Sequence, residues 1–257
     1  CDDMGGIADL TEALRLKPDD VESLRLRAAC YHRARDLPRA IADYTEVIRL
    51  KPDDAPAYRG RGQLRYESED FAEAIADFDQ AIRLEPDNAY AYLDRANAWR
   101  MEGDDDRALA DYNEGIRLAP DVTAAYENRG DVYGSKQDHP RAIADYTEAL
   151  RLKPDNAPVL LRRGWSKAEI EDYDGAIADY TEAIRLDPEA VEAFRYRGQA
   201  QSRKGNYEAA IADHTEAIRL KPEEARNFLD RAMARYESGA YDQAIADYDE
   251  ALRLHPA

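Results

Sequence analysis

The sequence predicts an all-α solenoid built from 34-residue helix–turn–helix repeats. Its first indication is a set of prolines spaced 34 residues apart: Pro18, Pro52, Pro86, Pro120, Pro154, Pro188, Pro222 and Pro256. The second is a phrase that recurs around each proline, IADYTEVIRLKPDD at 41–54 and IADYTEALRLKPDN at 143–156. The third is the helical spacing of apolar residues within each repeat. A fixed period of this length is typical of repeat arrays, which grow by stacking each unit on its neighbours.

The period divides the chain into a leading half repeat and seven full repeats. Residues 1–20 are predicted to hold only the second helix of a repeat. The full repeats are predicted at 21–54, 55–88, 89–122, 123–156, 157–190, 191–224 and 225–257.

The repeat at 21–54 shows how each helix is specified. Leu24, Ala28 and Tyr31 lie on one face of a first helix. Asp36 can cap a second helix, and Pro38 fits the first turn of that helix, where a missing N–H is not needed. Pro52 ends the second helix because its ring clashes with a continuing helix.

Small and aromatic residues recur at fixed sites in the repeats. A small residue in each first helix and another in each second helix would let the helix axes approach closely. The first set is Ala28, Gly62, Ala96, Gly130, Gly164, Gly198 and Ala232, and the second is Ala40, Ala74, Ala108, Ala142, Ala176, Ala210 and Ala244. Aromatic residues are predicted to fill the space between helices: Tyr58, Tyr92, Tyr126 and Phe194, then Tyr44, Phe78, Tyr112, Tyr146, Tyr180 and Tyr248.

These sites resemble the pattern of the tetratricopeptide repeat family over essentially the whole chain. The repeat at 89–122 matches through Tyr92, Ala96, Trp99, Ala108, Tyr112 and Pro120, with Gly115 in place of the second alanine. The resemblance implies a right-handed superhelix of antiparallel helix pairs that holds other proteins in a concave groove. The Lys and Asn set of chaperone-binding members is missing, since Arg25, Arg59, Ala29 and Gln63 stand at those sites.

Two charged columns predict ion pairs inside the stack. One site of every first helix is an arginine, including Arg27, Arg61, Arg95 and Arg129, and one site of every second helix is an aspartate, including Asp9, Asp43, Asp77 and Asp111. Buried charges have to pair, because an unpaired one is very costly. We expect pairs between a repeat and the one before it, which would join Arg27 to Asp9. The alternative is that both columns are solvated at the edge of the packed stripe.

The first-helix face opposite the packed stripe varies most between repeats, and it is the predicted partner-binding surface. Its candidate residues are Arg25, Arg59, Tyr66, Arg100, Trp165, Arg195 and Arg203. Trp165 is the most informative, because its counterparts in the other repeats are not aromatic. Exposed tryptophans often anchor a binding partner. The alternative is that Trp165 lies over neighbouring side chains. The arginines favour an acidic segment as the partner.

Composition limits the classes of partner and chemistry. The formal net charge of -18 argues against nucleic acid or an anionic membrane, both of which need a cationic surface. Cys1 and Cys30 form no disulfide framework, and the histidines are scattered among the repeats. No nucleophile–base set or phosphate-binding loop is present. We therefore expect no metal, no cofactor and no enzymatic activity.

The compartment and the extent of the protein stay open at this stage. No stretch reaches the roughly 18 apolar residues of a membrane span. A cytoplasmic location is favoured, with a periplasmic or lipid-anchored envelope location, through Cys1, as alternatives. The chain lacks an initiator methionine and is expected to begin inside a longer one.

The leading functional prediction is a non-catalytic scaffold that binds a protein segment in its groove. One alternative is the repeat portion of a larger enzyme or regulator. Another is a lipid-anchored envelope protein. Because no polar capping helix is seen at either end, end-to-end self-association is a further expectation.

Overall fold

The computed structural model describes residues 3–255, which form helices joined by short turns, with no strand in that range. Cys1 and Pro256, on which the lipidation alternative and the last repeat boundary depend, lie outside the described residues. The helices are α1 (Asp3–Leu16), α2 (Val21–Arg33), α3 (Leu37–Leu50), α4 (Ala55–Glu67), α5 (Phe71–Leu84), α6 (Ala89–Met101), α7 (Asp105–Leu118), α8 (Thr123–Ser135), α9 (His139–Leu152), α10 (Ala157–Glu169), α11 (Tyr173–Leu186), α12 (Val191–Arg203), α13 (Tyr207–Leu220), α14 (Ala225–Glu237) and α15 (Tyr241–Leu254). The prediction of an all-α helical-repeat solenoid is confirmed.

The chain divides into two compact units, residues 1–125 and residues 126–257. Within the first unit, α2 packs on α3, α4 on α5 and α6 on α7, and each hairpin also contacts the helix before it. The second unit repeats this arrangement with α10 and α11, α12 and α13, and α14 and α15. In the second unit, the first helices α10, α12 and α14 also adjoin one another.

The helix boundaries follow from local capping chemistry. The Asp36 carboxylate accepts a hydrogen bond from the Arg39 amide at 3.2 Å, and Pro38 lies in the first turn of α3. Asp54 caps α4 in the same way, accepting from the Ala57 amide at 3.0 Å. A side-chain oxygen at this position satisfies one of the N–H groups that the first turn leaves unpaired.

The turn inside each hairpin requires a left-handed backbone at one site. Glycine occupies it in three hairpins, at Gly103, Gly205 and Gly239, with φ of 82°, 79° and 84°. The other hairpins place Arg35, Glu69, Gln137 and Glu171 there, with φ between 60° and 65°. The tertiary packing of the hairpins therefore holds non-glycine residues in a conformation that they rarely adopt.

The small residues face aromatic rings across each hairpin. A Cβ atom on Gly164 would lie 2.7 Å from Cε1 of Tyr180, and one on Gly62 would lie 2.7 Å from Cε1 of Phe78. Both rings are almost completely buried. The alanines of the second helices, such as Ala176, are also fully buried. Close approach of the two helices therefore depends on the small side chains, as ridge-and-groove packing requires.

The arginine and aspartate columns pair within a repeat, so the prediction of pairing with the preceding repeat was wrong. Arg27 donates from Nε and Nη2 to Asp43 at 2.9 and 2.7 Å, whereas Asp9 is exposed. The same two-bond contact joins Arg61 to Asp77, Arg95 to Asp111, Arg129 to Asp145, Arg163 to Asp179, Arg197 to Asp213, and Arg231 to Asp247. The reason is geometric, because antiparallel packing brings the two sites of one hairpin face to face.

The link to the preceding repeat is made by the third guanidinium nitrogen. Arg61 Nη1 donates to the Thr45 hydroxyl at 3.1 Å, and Arg197 Nη1 donates to the Thr181 hydroxyl at 3.1 Å. In α6, Arg95 Nη1 contacts the Asp79 carboxylate at 2.5 Å instead. Each of these arginines therefore ties its own hairpin together and also joins it to the hairpin before it.

Candidate functional site

The first-helix face of the second unit carries a cavity of about 460 Å³, which we call the Trp165 cavity. Four helices and the turn after α10 form its wall. Its lining residues are Trp165, Ala168 and Glu169 on α10, Glu171 in the turn, Tyr173 and Tyr180 on α11, Tyr196, Gln199, Ala200 and Arg203 on α12, and Arg226 on α14. Two of the predicted partner-binding residues, Trp165 and Arg203, thus line the same cavity.

Trp165 combines an exposed surface with a packed edge. Its residue surface is 40% exposed, and its ring meets the His139 ring edge-on at 5.2 Å. An edge-to-face contact of this kind fixes the orientation of the indole. Trp165 therefore presents an apolar ring surface of fixed orientation to the cavity.

Tyr180 differs from Tyr112 and Tyr146 because Trp165 stands where those two tyrosines find a hydrogen-bond acceptor. In α7 and α9, the hydroxyls of Tyr112 and Tyr146 donate to Asn97 and Asp131 at 2.5 and 2.8 Å. An indole offers no acceptor. Among the described residues, the Tyr180 hydroxyl has no hydrogen-bond partner. Burial raises the pKa of Tyr180, so its phenol stays protonated and able to donate.

Three of the predicted arginines are already paired with carboxylates at the start of, or within, the next first helix. Arg25 contacts Asp54, and Arg59 donates to Asp94 at 2.6 Å. Arg195 is only 7% exposed and donates to Asp230 at 3.1 Å. Arg195 was predicted as a surface contact for a partner, and the structure corrects this, because the next first helix covers it and supplies its counter-ion.

The remaining predicted residues occupy different settings. Tyr66 is half-buried and packs edge-on against Phe71 at 5.4 Å. Arg100 is half-buried on α6. Both lie in the first unit, apart from the Trp165 cavity, whereas Arg203 is exposed at the rim of that cavity.

The rim of the Trp165 cavity has charges of both signs. Arg203 and Arg226 lie on α12 and α14, and Glu169 and Glu171 lie at the end of α10 and in the turn that follows. All four side chains belong to exposed residues. Four aromatic residues, two alanines and Gln199 lie between them, so the cavity has both aromatic and polar surfaces. Such a lining favours a ligand that combines an apolar group with polar ends.

A second cavity of about 380 Å³, the His214 cavity, adjoins the first on the same face. It is lined by Gln199, Ser202, Arg203, His214, Asp230, Met233 and Glu237. Gln199 and Arg203 contribute to both cavities. His214 is 1% exposed and stands in the aromatic column of the second helices.

Burial lowers the pKa of His214, because the imidazolium would lose its hydration. The carboxylates of Asp230 and Asp213 oppose this shift, and the cations of Arg195 and Arg231 reinforce it. The folded protein therefore disfavours the proton that the unfolded chain binds near pH 6.5.

We expect the free energy of unfolding to fall as the pH is lowered from about 7 through 6.5, because the unfolded chain then binds more protons at His214. Urea titrations at several pH values would measure this slope. The variant His214→Tyr should show a smaller slope over the same window. An identical slope in both proteins would contradict the prediction.

The part of the chain that the structure describes contains neither a metal-ligand cluster nor a membrane-spanning helix. No group of three or more His, Cys, Asp or Glu residues among them is arranged to hold a metal ion. Within residues 3–255, no helix is both long and apolar enough to cross a membrane.

Sequence-family models match most of the chain. Models described as tetratricopeptide repeat match residues 28–100, 103–157 and 161–225. The chain belongs to the tetratricopeptide repeat family. Its repeats form a scaffold of the kind that mediates protein–protein interaction. A comparison with curated protein sequences gave no match.

Solved structures of other tetratricopeptide repeat proteins share this fold. The C-terminal part of a repeat protein from Cytophaga hutchinsonii is 16% identical, with a TM-score of 0.76, over 90% of this chain and 95% of that one. A repeat protein from Parabacteroides merdae is 18% identical, with a TM-score of 0.66, over 91% and 93%. YrrB, described as having an unusual peptide-binding site, is 23% identical, with a TM-score of 0.63, over 70% and 92%.

Sequence reasoning did not select several residues that line the two cavities. His214 could have been found, because it interrupts a column that is otherwise tyrosine or phenylalanine. Gln199 and Arg226 carried no such signal. Their importance depends on which first helices adjoin, and that is a property of the folded unit.

Proposed function

We propose that the second unit binds a segment of a partner protein across the Trp165 cavity. The carrying observation is that Trp165, Tyr196 and Arg203, which come from two adjoining first helices, line one cavity on the first-helix face. Binding sites usually combine aromatic surface with convergent polar groups, and this cavity has both.

The chemistry of the cavity indicates the kind of segment. A large apolar side chain of the partner would lie against the indole of Trp165 and the ring of Tyr196. A carbonyl or carboxylate oxygen would accept from the free hydroxyl of Tyr180 or from Arg203. YrrB, a relative in fold, is described as having a peptide-binding site, which is consistent with this class of partner.

The predicted preference for an acidic partner depends on fewer arginines than the sequence analysis expected. Arg195 no longer contributes to it, because Asp230 neutralises that cation. Arg203 and Arg226 are the cations at the rim. Self-association through the chain ends stays a prediction.

Replacing Trp165 with alanine is expected to weaken partner binding at least about 30-fold, the loss typical of a central aromatic anchor. Partners would be captured by a photo-crosslinking amino acid at position 199, identified by mass spectrometry, and titrated as purified proteins. Because Trp165 is 40% exposed, the variant should keep its helicity.

The matched control is Tyr241→Ala, which removes an aromatic residue that is 58% exposed and lies outside the cavity. It should leave the affinity unchanged. Equal affinity of wild type and Trp165→Ala, with helicity retained in both, would mean that the partner binds elsewhere.

A further inference from the structure

The His214 cavity occupies a site that other repeats fill with a tyrosine hydroxyl. Tyr112 and Tyr146 stand in the same column as His214 and reach Asn97 and Asp131 with their hydroxyls. The imidazole of His214 is shorter than a phenol and carries no hydroxyl. Space therefore remains beyond the ring, between α12 and α14.

The equivalent site in the first unit provides an internal comparison. There Phe78 stands in the column, and a cavity of about 350 Å³ is lined by Gln63, Tyr66, Glu67, Phe78, Asp94 and Asn97. Gln63 donates to Asp94 at 3.0 Å, and Gln199 donates to Asp230 at 3.4 Å. The two cavities thus share a glutamine–aspartate hydrogen bond, whereas only the cavity of the second unit has an imidazole and Arg203 in its lining.

Among residues 3–255, the imidazole of His214 has no hydrogen-bond partner. Its Nδ1 atom is buried without a hydrogen bond. A neutral imidazole has one donor and one acceptor nitrogen, and buried polar groups are nearly always paired. A group bound in the cavity could reach only the other nitrogen, Nε2, which is not fully buried and also makes no hydrogen bond with a described residue.

The rest of the wall restricts the charge of such a group. Asp230 is already engaged by Arg195 and Gln199. Arg203 and Glu237 are exposed and make no ion pair with a described residue. An anion in the cavity would meet Glu237, and a cation would meet Arg203, so a full charge of either sign faces one like charge.

From this arrangement we infer that the His214 cavity binds a neutral carboxamide, such as the side chain of glutamine or asparagine. The carboxamide oxygen accepts from Arg203, and its N–H donates to Glu237 or to the imidazole. This inference rests on the proposed function, since the carboxamide would belong to the segment that also contacts Trp165 through the shared residues Gln199 and Arg203.

Histidine-labelled protein allows a direct test with small probes. Propionamide, propionate and propylammonium, which match in size and differ in charge, would be titrated at pH 7.5 while the ring Cε1 signals of the four histidines are followed by NMR. Loss of one signal in His214→Tyr assigns His214. We expect propionamide to shift this signal saturably, with an affinity at least about tenfold above that of either charged probe.

His32 and His255 lie outside both cavities and are internal controls whose signals should stay in place. The methyl signal of Met233 reports occupancy in variants that lack His214. In His214→Tyr the propionamide shift at Met233 should disappear, because a phenol fills the space. Phe78→Tyr, which places a tyrosine at the equivalent site of the first unit, should leave the propionamide shift at Met233 unchanged.

Glu237→Lys tests the charge argument without touching a buried residue. It should weaken propionamide binding and strengthen propionate binding. Equal shifts with all three probes, stronger binding of propionate by the wild type, or no shift of His214 at about 0.2 M propionamide would overturn the inference.

Failure of this inference is distinct from failure of the proposed function. A partner that depends on Trp165, combined with no response to propionamide, would overturn only the carboxamide site. Propionamide binding at His214, combined with a partner indifferent to Trp165→Ala, would overturn only the proposed partner site.

Discussion

Replacing Arg197 with leucine is expected to lower the free energy of unfolding by about 3–5 kcal/mol, because it leaves a buried carboxylate without a cation. Asp213 is 7% exposed and receives two hydrogen bonds from Arg197, at 2.9 and 2.7 Å. No other cation among the described residues contacts Asp213. The change also removes the bond from Arg197 to Thr181, which joins two repeats. Urea unfolding followed by circular dichroism would measure the loss.

Three controls identify the unpaired charge as the cause. The double variant Arg197→Leu with Asp213→Leu should recover part of the loss, since an apolar pair can replace a buried ion pair. Arg61→Leu should cost less than Arg197→Leu, because Asp77 keeps a bond from Arg65 at 2.8 Å. Equal losses at the two sites, or no recovery in the double variant, would contradict the explanation. Arg219→Leu, which breaks a pair with Glu216 on the exposed surface, should change little.

Replacing Gly164 with leucine is expected to cost about 3 kcal/mol, at the upper end of the range for overpacked cores. A Cβ atom at this site lies 2.7 Å from Tyr180 Cε1 and 3.0 Å from Tyr180 Cδ1. The ring is 1% exposed and is therefore held by contacts over most of its surface. The branched side chain would push α10 away from α11 and distort the wall of the Trp165 cavity.

Gly164→Ala is the matched control for this prediction. The same site carries Ala28, Ala96 and Ala232 in other repeats, and all three are fully buried. One methyl group is therefore accommodated by small shifts, and alanine also favours the helix by about 1 kcal/mol over glycine. The alanine variant should unfold near the wild-type midpoint in a thermal melt. A leucine variant as stable as the alanine variant would show that the two helices can separate freely.

The comparison of sequence and structure is clearest at the charged columns. The regular recurrence of Arg27 and Asp43 correctly indicated that these charges serve as partners rather than as solvated surface. The choice of partner was wrong, because helical periodicity places a residue on a face but does not say which neighbouring helix that face meets. Asp9 and Asp43 occupy equivalent sites, and only the packing of α2 on α3 decides between them.

The cavities likewise separate what the sequence could indicate from what only the packing of the helices revealed. Trp165 was identified from sequence because it departs from its own column. Its association with Tyr196 and Arg203 was not, because these residues are brought together by contact between α10 and α12. The prediction that Arg195 binds a partner was wrong for a related reason. Its site looks exposed on a single helix and is covered only when α14 packs beside it.

By itself the sequence determined the repeat length, the all-α fold, the small and aromatic core sites and the family, because these depend on spacing along one or two helices. The tertiary structure decided which charges pair, which arginines remain exposed, and where cavities open at Trp165 and His214. Those features depend on distances between residues that are 16 to 35 positions apart in the chain, as in Arg27 with Asp43 and Arg195 with Asp230. Such distances are set by how the two helices of a repeat pack together and how each repeat stacks on the next, so they become definite only in the folded array.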